Sequence, residues 1–210
     1  MMNFIRLKYT KGFNILRDGL SQNNPIAIAV LGICSALAVS NKVENAIAMG
    51  LGVTFVIMAS SATVSIFRRF IPSKVRMVTY MVIISTFVIA VQMFLQAYYP
   101  TISKALGAYV GLIITNCIVM GRAEAFATKN PVRYTLIDGF ANGMGYTYVL
   151  VVVAVIREVL AFGTILNYQV MPDTWTNWVV MAMAPGGFFI LGILIWIIRE
   201  LTKNYEVSTE

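Results

Sequence analysis

Cys34 and Cys117 are the only two thiols in this sequence of 210 residues, and histidine is absent. Each lies inside an apolar segment of membrane-spanning length, and each holds the same place in one half of an internal repeat. The first half reads Leu31-Gly32-Ile33-Cys34-Ser35-Ala36-Leu37-Ala38-Val39 and then Gly50-Leu51-Gly52-Val53-Thr54-Phe55-Val56. The second reads Ile114-Thr115-Asn116-Cys117-Ile118-Val119-Met120-Gly121 and then Gly143-Met144-Gly145-Tyr146-Thr147-Tyr148-Val149. A cysteine followed by GxGxT therefore occurs twice in order, with ten more residues between the two in the second copy. Three roles fit thiols so placed. A buried cysteine packs as a small hydrophobe between helices. A disulfide closes if the Cα atoms come within about 7 Å. A thiolate pair ligates a metal or iron–sulfur unit, whose charge offsets the cost of a thiolate in hydrocarbon. Zinc and [2Fe–2S] units take about four protein ligands. This chain offers two, so the third role needs another subunit or a second copy to supply the rest, at an interface on a pseudo-two-fold axis.

The elements that must position the thiols are membrane spans. The chain is 59% hydrophobic and 12% charged, with a mean hydropathy of +0.77, outside the range of soluble domains. Its apolar runs are continuous and do not alternate with period two, which predicts helices and not barrel strands. Six spans are predicted, at about 25–40, 45–66, 77–99, 105–121, 139–162 and 178–198, each compared with the ~20 apolar residues that cross a bilayer. Residues 1–24 lack the apolar core and cleavage site of a signal peptide. Ile5, Tyr9, Phe13, Leu16 and Leu20 share one helical face there, which predicts an interfacial helix, with a disordered polar leader as the alternative. Asn24 before Pro25 is a capping residue followed by a proline suited to the first helical position. The membrane domain covers 25–200, in repeats of 25–99 and 105–199, and 201–210 form a tail.

Sixteen basic residues against nine acidic ones give a net charge of +7, and the basic residues sort by side. Thirteen (Arg6, Lys8, Lys11, Arg17, Arg68, Arg69, Lys74, Arg76, Arg122, Lys129, Arg133, Arg199 and Lys203) fall on one side, and Lys42, Lys104 and Arg157 on the other. The positive-inside rule then places both termini in the cytoplasm. The charge is an orientation signal and not a sign of a nucleic-acid partner. Tyr98, Tyr99, Trp175 and Trp178 stand at the outer ends of spans, where amphipathic rings prefer to sit.

A unit of three spans repeated once must appear inverted the second time. That is the plan of many transport proteins, whose sites lie near the midplane in short or interrupted segments. Spans one and four are the shortest, and Gly32, Ser35, Thr115 and Asn116 interrupt them with small or polar residues beside the cysteines. Counting 1.5 Å per residue, Cys34 lies roughly 15 Å into its span and Cys117 roughly 18 Å.

At these residues the chain resembles the D-type membrane subunits of bacterial sodium-translocating NADH:quinone oxidoreductases (the Nqr complex), and the corresponding subunit of the related Rnf complexes. The likeness covers about 20–200. It is most specific at Asn23-Asn24-Pro25, at 31–39, and over 111–127, where the ending Arg122-Ala123-Glu124-Ala125-Phe126-Ala127 fits the D-type better than its paralogous E-type partner. Ser35 and Ala36 after Cys34 favour Nqr over Rnf. The resemblance implies an all-α, six-helix inner-membrane subunit in which Cys34 and Cys117 hold half of a [2Fe–2S] cluster, two cysteines of the paralogous six-helix subunit holding the other half. It implies that the subunit relays electrons within a complex that exports sodium and reduces quinone, such as ubiquinone, with NADH. NAD, FAD, FMN and riboflavin then belong to other parts of the complex. A ferredoxin-dependent Rnf-type subunit, a small secondary transporter and a structural anchor are the competing readings.

Four charged residues stand as second-tier candidates. Arg157 and Glu158 lie near the outer end of span five, where a functional pair competes with snorkelling or bridging. Arg122 and Glu124 open a predicted cytoplasmic loop, where helix capping competes with docking of an electron donor. Asp138 reads as a helix start in preference to a sodium ligand, Pro185-Gly186-Gly187 as a bend in span six, and Thr54 and Thr147 as an interhelical hydrogen-bonding pair.

Overall fold

The structure, a computed structural model, describes residues 31–98, 111–165 and 178–207, together with 107, 109, 168 and 169. The expected interfacial helix of 1–24, the Asn24-Pro25 cap, Lys104, Tyr99 and Trp175 lie outside the described residues. The chain is an all-α membrane protein. Among the described residues, three helices are long and apolar enough to cross a membrane: α2 (Val43–Phe67), α3 (Arg76–Tyr98) and α5 (Val132–Phe162). Around them lie α1 (Ile33–Val39), α4 (Cys117–Arg122), α6 (Val179–Ala182) and α7 (Ala184–Val207). A two-residue antiparallel ladder, Thr164–Ile165 with Tyr168–Gln169, follows α5.

The core is the crossing of α2 and α5, and the two GxGxT copies make it. A Cβ on Gly50 would lie 2.5 Å from Thr147 Cγ2, and one on Gly143 would lie 2.7 Å from Thr54 Cγ2. Each threonine donates to the carbonyl of the glycine on its own helix, Thr54 to Gly50 and Thr147 to Gly143, both at 2.8 Å. The two hydroxyls meet at 3.4 Å. Each glycine thus accepts the other helix's threonine, a close approach that only residues without a side chain permit. The expected threonine pairing is what the two helices form. Helix α3 packs through Tyr80, Ile84 and Val88, one stripe at intervals of four, and presents Met77, Val78, Val82, Met93 and Phe94 outward. Such an outer face suits lipid or a neighbouring subunit. Tyr98 and Trp178 are exposed at the ends of α3 and α6, in keeping with interfacial rings.

Three boundaries differ from the sequence reading. Helix α5 starts at Val132, behind Pro131, and not near 139. Asp138 is therefore buried in its second turn, and its role as a helix start is corrected. Arg122 and Glu124 do not open a loop: α4 runs straight into a π-helical turn, Ala123–Ala127, and the turn follows from Thr128. In the last span the break falls at Met183, which is extended, and Pro185 occupies the second position of α7, where no amide hydrogen is needed.

Candidate functional site

Both cysteines sit at breaks in helices. Helical residues 111–114 give way to a turn at Thr115, and Cys117 is the first residue of α4. Cys34 is the second residue of α1, which follows Gly32 at φ 81°. Two constraints demand glycine at 32: the left-handed backbone, and the fact that a Cβ would lie 2.7 Å from Ile118 Cδ1. The starts of the two short helices are thus packed against each other. Both thiols are free, and both are exposed on this chain.

Polar side chains join the two starts. Asn116, which precedes Cys117, uses its Oδ1 to accept from the amide of Ile118 at 3.2 Å and so caps α4. Its Nδ2 donates at 3.1 Å to the hydroxyl of Ser35, the residue after Cys34. Ser35 donates to the Gly32 carbonyl at 3.0 Å and meets the Tyr146 hydroxyl at 2.8 Å. Ser35, Asn116 and Tyr146 are all 0% exposed. A serine hydroxyl has one donor and two acceptor positions. With Gly32 O taking the donor, Asn116 and Tyr146 fill both acceptors. Every atom of the cluster has a partner, so it holds both cysteine-bearing starts in one arrangement.

The far ends are held by the two charged residues of α5 that the sequence singles out. Arg157, 1% exposed, donates to the Leu37 carbonyl at 3.0 Å and to Ser40 Oγ at 2.6 Å, both at the end of α1. It also reaches the carbonyls of Met181 at 3.2 Å and Met183 at 3.3 Å, at the break between α6 and α7. Glu158 Oε2 accepts from the amide of Val43, the first residue of α2, at 2.7 Å. Interrupted helices leave carbonyls and amides unsatisfied, and in lipid each is costly. Arg157 and Glu158 satisfy them. They do not snorkel; they bridge to neighbouring segments, as one of the expected readings has it.

At the opposite end, Arg122 grips Asp138 with a two-pronged ion pair, Nε to Oδ2 at 2.9 Å and Nη2 to Oδ1. Arg122 also stacks over Phe126, with Cζ 5.4 Å from the ring centroid. Asn142 Nδ2 donates to Asp138 Oδ1 at 3.0 Å. Arg76 pairs with Glu124 at 3.0 Å. Arg122, Glu124, Arg157 and Glu158 therefore stand at two separate ends of the bundle, and neither pair gathers at the cysteines. Sequence reading missed Tyr146. One signal marks it: it occupies the place that Val53 holds in the first GxGxT copy.

An all-α membrane protein of this kind, with free thiols at two adjoining helix breaks, belongs to the class of multi-pass integral membrane proteins. Its particular family follows from comparison with known proteins. Residues 12–195 match the family described as Rnf-Nqr subunit, membrane protein, and the chain belongs to that family. It is 49% identical over 199 residues to the D subunit of the Na(+)-translocating NADH-quinone reductase of Chlamydia abortus, covering 90% of this chain and 93% of that one. To the D subunit from Chlamydia felis it is 50% identical over 197 residues, covering 89% and 92%. To that from Pseudoalteromonas atlantica it is 46% identical over 192 residues, covering 89% and 91%.

Proposed function

We propose that this chain works as the D subunit of a Na+-translocating NADH-quinone reductase, in a bacterial inner membrane, and that Cys34 and Cys117 hold one side of a [2Fe–2S] cluster. In this reading the chain crosses the membrane six times as two inverted three-helix repeats, with both termini in the cytoplasm, and a paralogous six-helix subunit supplies the other two thiols. The relatives that bear the D-subunit name, similar over about nine-tenths of the chain, support the assignment to that complex.

The observation that carries the thiol assignment is the pairing of two free, exposed cysteines at helix breaks joined by the Asn116–Ser35 hydrogen bond. The donor set suits half of a cluster and nothing larger. Among the described residues, no group of three or more Cys, His, Asp or Glu gathers to complete a metal site, and the sequence contains no histidine. When bound, a cluster of this kind supplies a one-electron carrier. This chain's own residues do the positioning: Ser35, Asn116 and Tyr146 fix the starts of α1 and α4, and Arg157 fixes the end of α1. NADH, flavin and quinone chemistry falls to other subunits of the complex.

The test uses the purified complex with Cys34→Ala or Cys117→Ala. Each variant assembles with normal flavin content and loses quinone reduction with NADH. Retained quinone reductase activity in both assembled variants would refute the thiol assignment. Loss of the whole complex from the membrane in both would instead mark the cysteines as packing residues.

A further inference from the structure

A polar cavity of about 260 Å³ opens at the end of the bundle opposite Arg157, lined by Arg68, Ile71, Arg76, Tyr80, Thr128 and Lys129. It lies where α2 ends, α3 begins and the chain turns after the π-helical segment. Because α2 and α3 are both of membrane-crossing length and character, their shared end sits at headgroup depth. The positive-inside pattern makes this the cytoplasmic side.

Three cationic side chains and two hydroxyl groups reach this one cavity. Glu124 offsets Arg76 by the ion pair at 3.0 Å, so Arg68 and Lys129 set the sign, which is positive. Tyr80 is 0% exposed, and its hydroxyl lies beside the Glu124 carboxylate. An oxyanion satisfies that positive charge. The rim identifies the source of that oxyanion. Phe70 is 83% exposed beside Ile71, and Met77 and Val78 are exposed beside Arg76. A free phosphate gains nothing from such neighbours, whereas acyl chains lie along them. We propose that this cavity binds the phosphate group of an anionic phospholipid, with the acyl chains against Phe70 and the outer face of α3. Basic pockets between spans on the cytoplasmic side have the charge for this. The site is independent of whether the cysteines hold a cluster.

The experiment titrates the delipidated, purified complex in mild detergent with a fluorescent phosphatidylglycerol, and with the phosphatidylcholine analogue as the zwitterionic control. Each positive charge near a lipid headgroup contributes about a fivefold change in binding. Arg68→Gln with Lys129→Gln therefore weakens phosphatidylglycerol binding on the order of 20-fold and leaves phosphatidylcholine binding unchanged. Arg69→Gln, which removes a neighbouring charge that does not line the cavity, changes phosphatidylglycerol binding less than about twofold. Unlabelled phosphatidylglycerol displaces the probe and millimolar inorganic phosphate does not. Unchanged affinity in the double variant, an equal loss in Arg69→Gln, or displacement by inorganic phosphate alone would each overturn the proposal. If the double variant does not assemble, Lys129→Gln alone decides it, with a fivefold loss expected.

Discussion

Ser35 is the residue on which the arrangement of the thiols turns, because its single hydroxyl serves three partners at once. Replacing it with alanine orphans two buried donors, Tyr146 Oη and Asn116 Nδ2, at about 1–3 kcal/mol each. Tyr146→Phe removes one of those donors together with its need, and leaves Ser35 an unused acceptor position. Ser35→Ala therefore lowers the thermal midpoint of the solubilised protein by at least twice as much as Tyr146→Phe. Equal shifts would show that the cluster is not fully coupled. The two cysteines were legible in the sequence because the repeat places them symmetrically and because no other thiol competes. Ser35 and Asn116 stood out as polar residues beside them. Tyr146 did not, since it sits within a motif whose glycines and threonine explain themselves as helix packing. Its partner lies 111 residues away, a distance no local pattern spans.

Between helices, the interlock of Gly50 with Thr147 and of Gly143 with Thr54 sets how closely α2 and α5 approach. Alanine at either glycine overpacks the crossing, at a cost of about 1–3 kcal/mol. The two sites differ in what they meet. At Gly50 the nearest atoms all belong to the Thr147 side chain, whereas at Gly143 the Thr54 backbone Cα lies only 2.8 Å away. Thr147→Ala therefore restores Gly50→Ala more fully than Thr54→Ala restores Gly143→Ala, as a thermal-melt double-mutant cycle reads. At the broken ends, Arg157→Met strips the carbonyls of Leu37, Met181 and Met183 of their shared donor and costs about 3 kcal/mol or more. Glu158→Gln keeps a carbonyl oxygen for the Val43 amide, so its midpoint stays much closer to that of the parent than the Arg157→Met midpoint does. The long apolar helices could be read from composition, since bilayer thickness fixes their length. The start of α5 could not, because Arg133 and Asp138 look like loop residues until Arg122 is seen to neutralise Asp138. The π-helical turn over Ala123–Ala127 was likewise hidden, as alanine-rich sequence favours an ordinary helix equally well.

Among the described residues, the buried polar groups around the helix breaks are paired and the exterior is largely apolar. Leu51, Phe55, Phe94, Phe188, Phe189 and Trp196 all face outward, as expected of a membrane component surrounded by lipid and by other subunits. The family membership and the similar D-type relatives fit a part of a larger machine and not a transporter that works alone. Six inverted spans, as proposed, place the two thiols so that a matching half-site on a paralogue completes a four-cysteine set. The most direct measurement of that claim counts iron and acid-labile sulfide in the assembled complex, before and after Cys34→Ala and Cys117→Ala are combined. The account predicts a loss equal to one [2Fe–2S] unit with the subunit composition intact. Iron and sulfide unchanged in an intact double variant would contradict it.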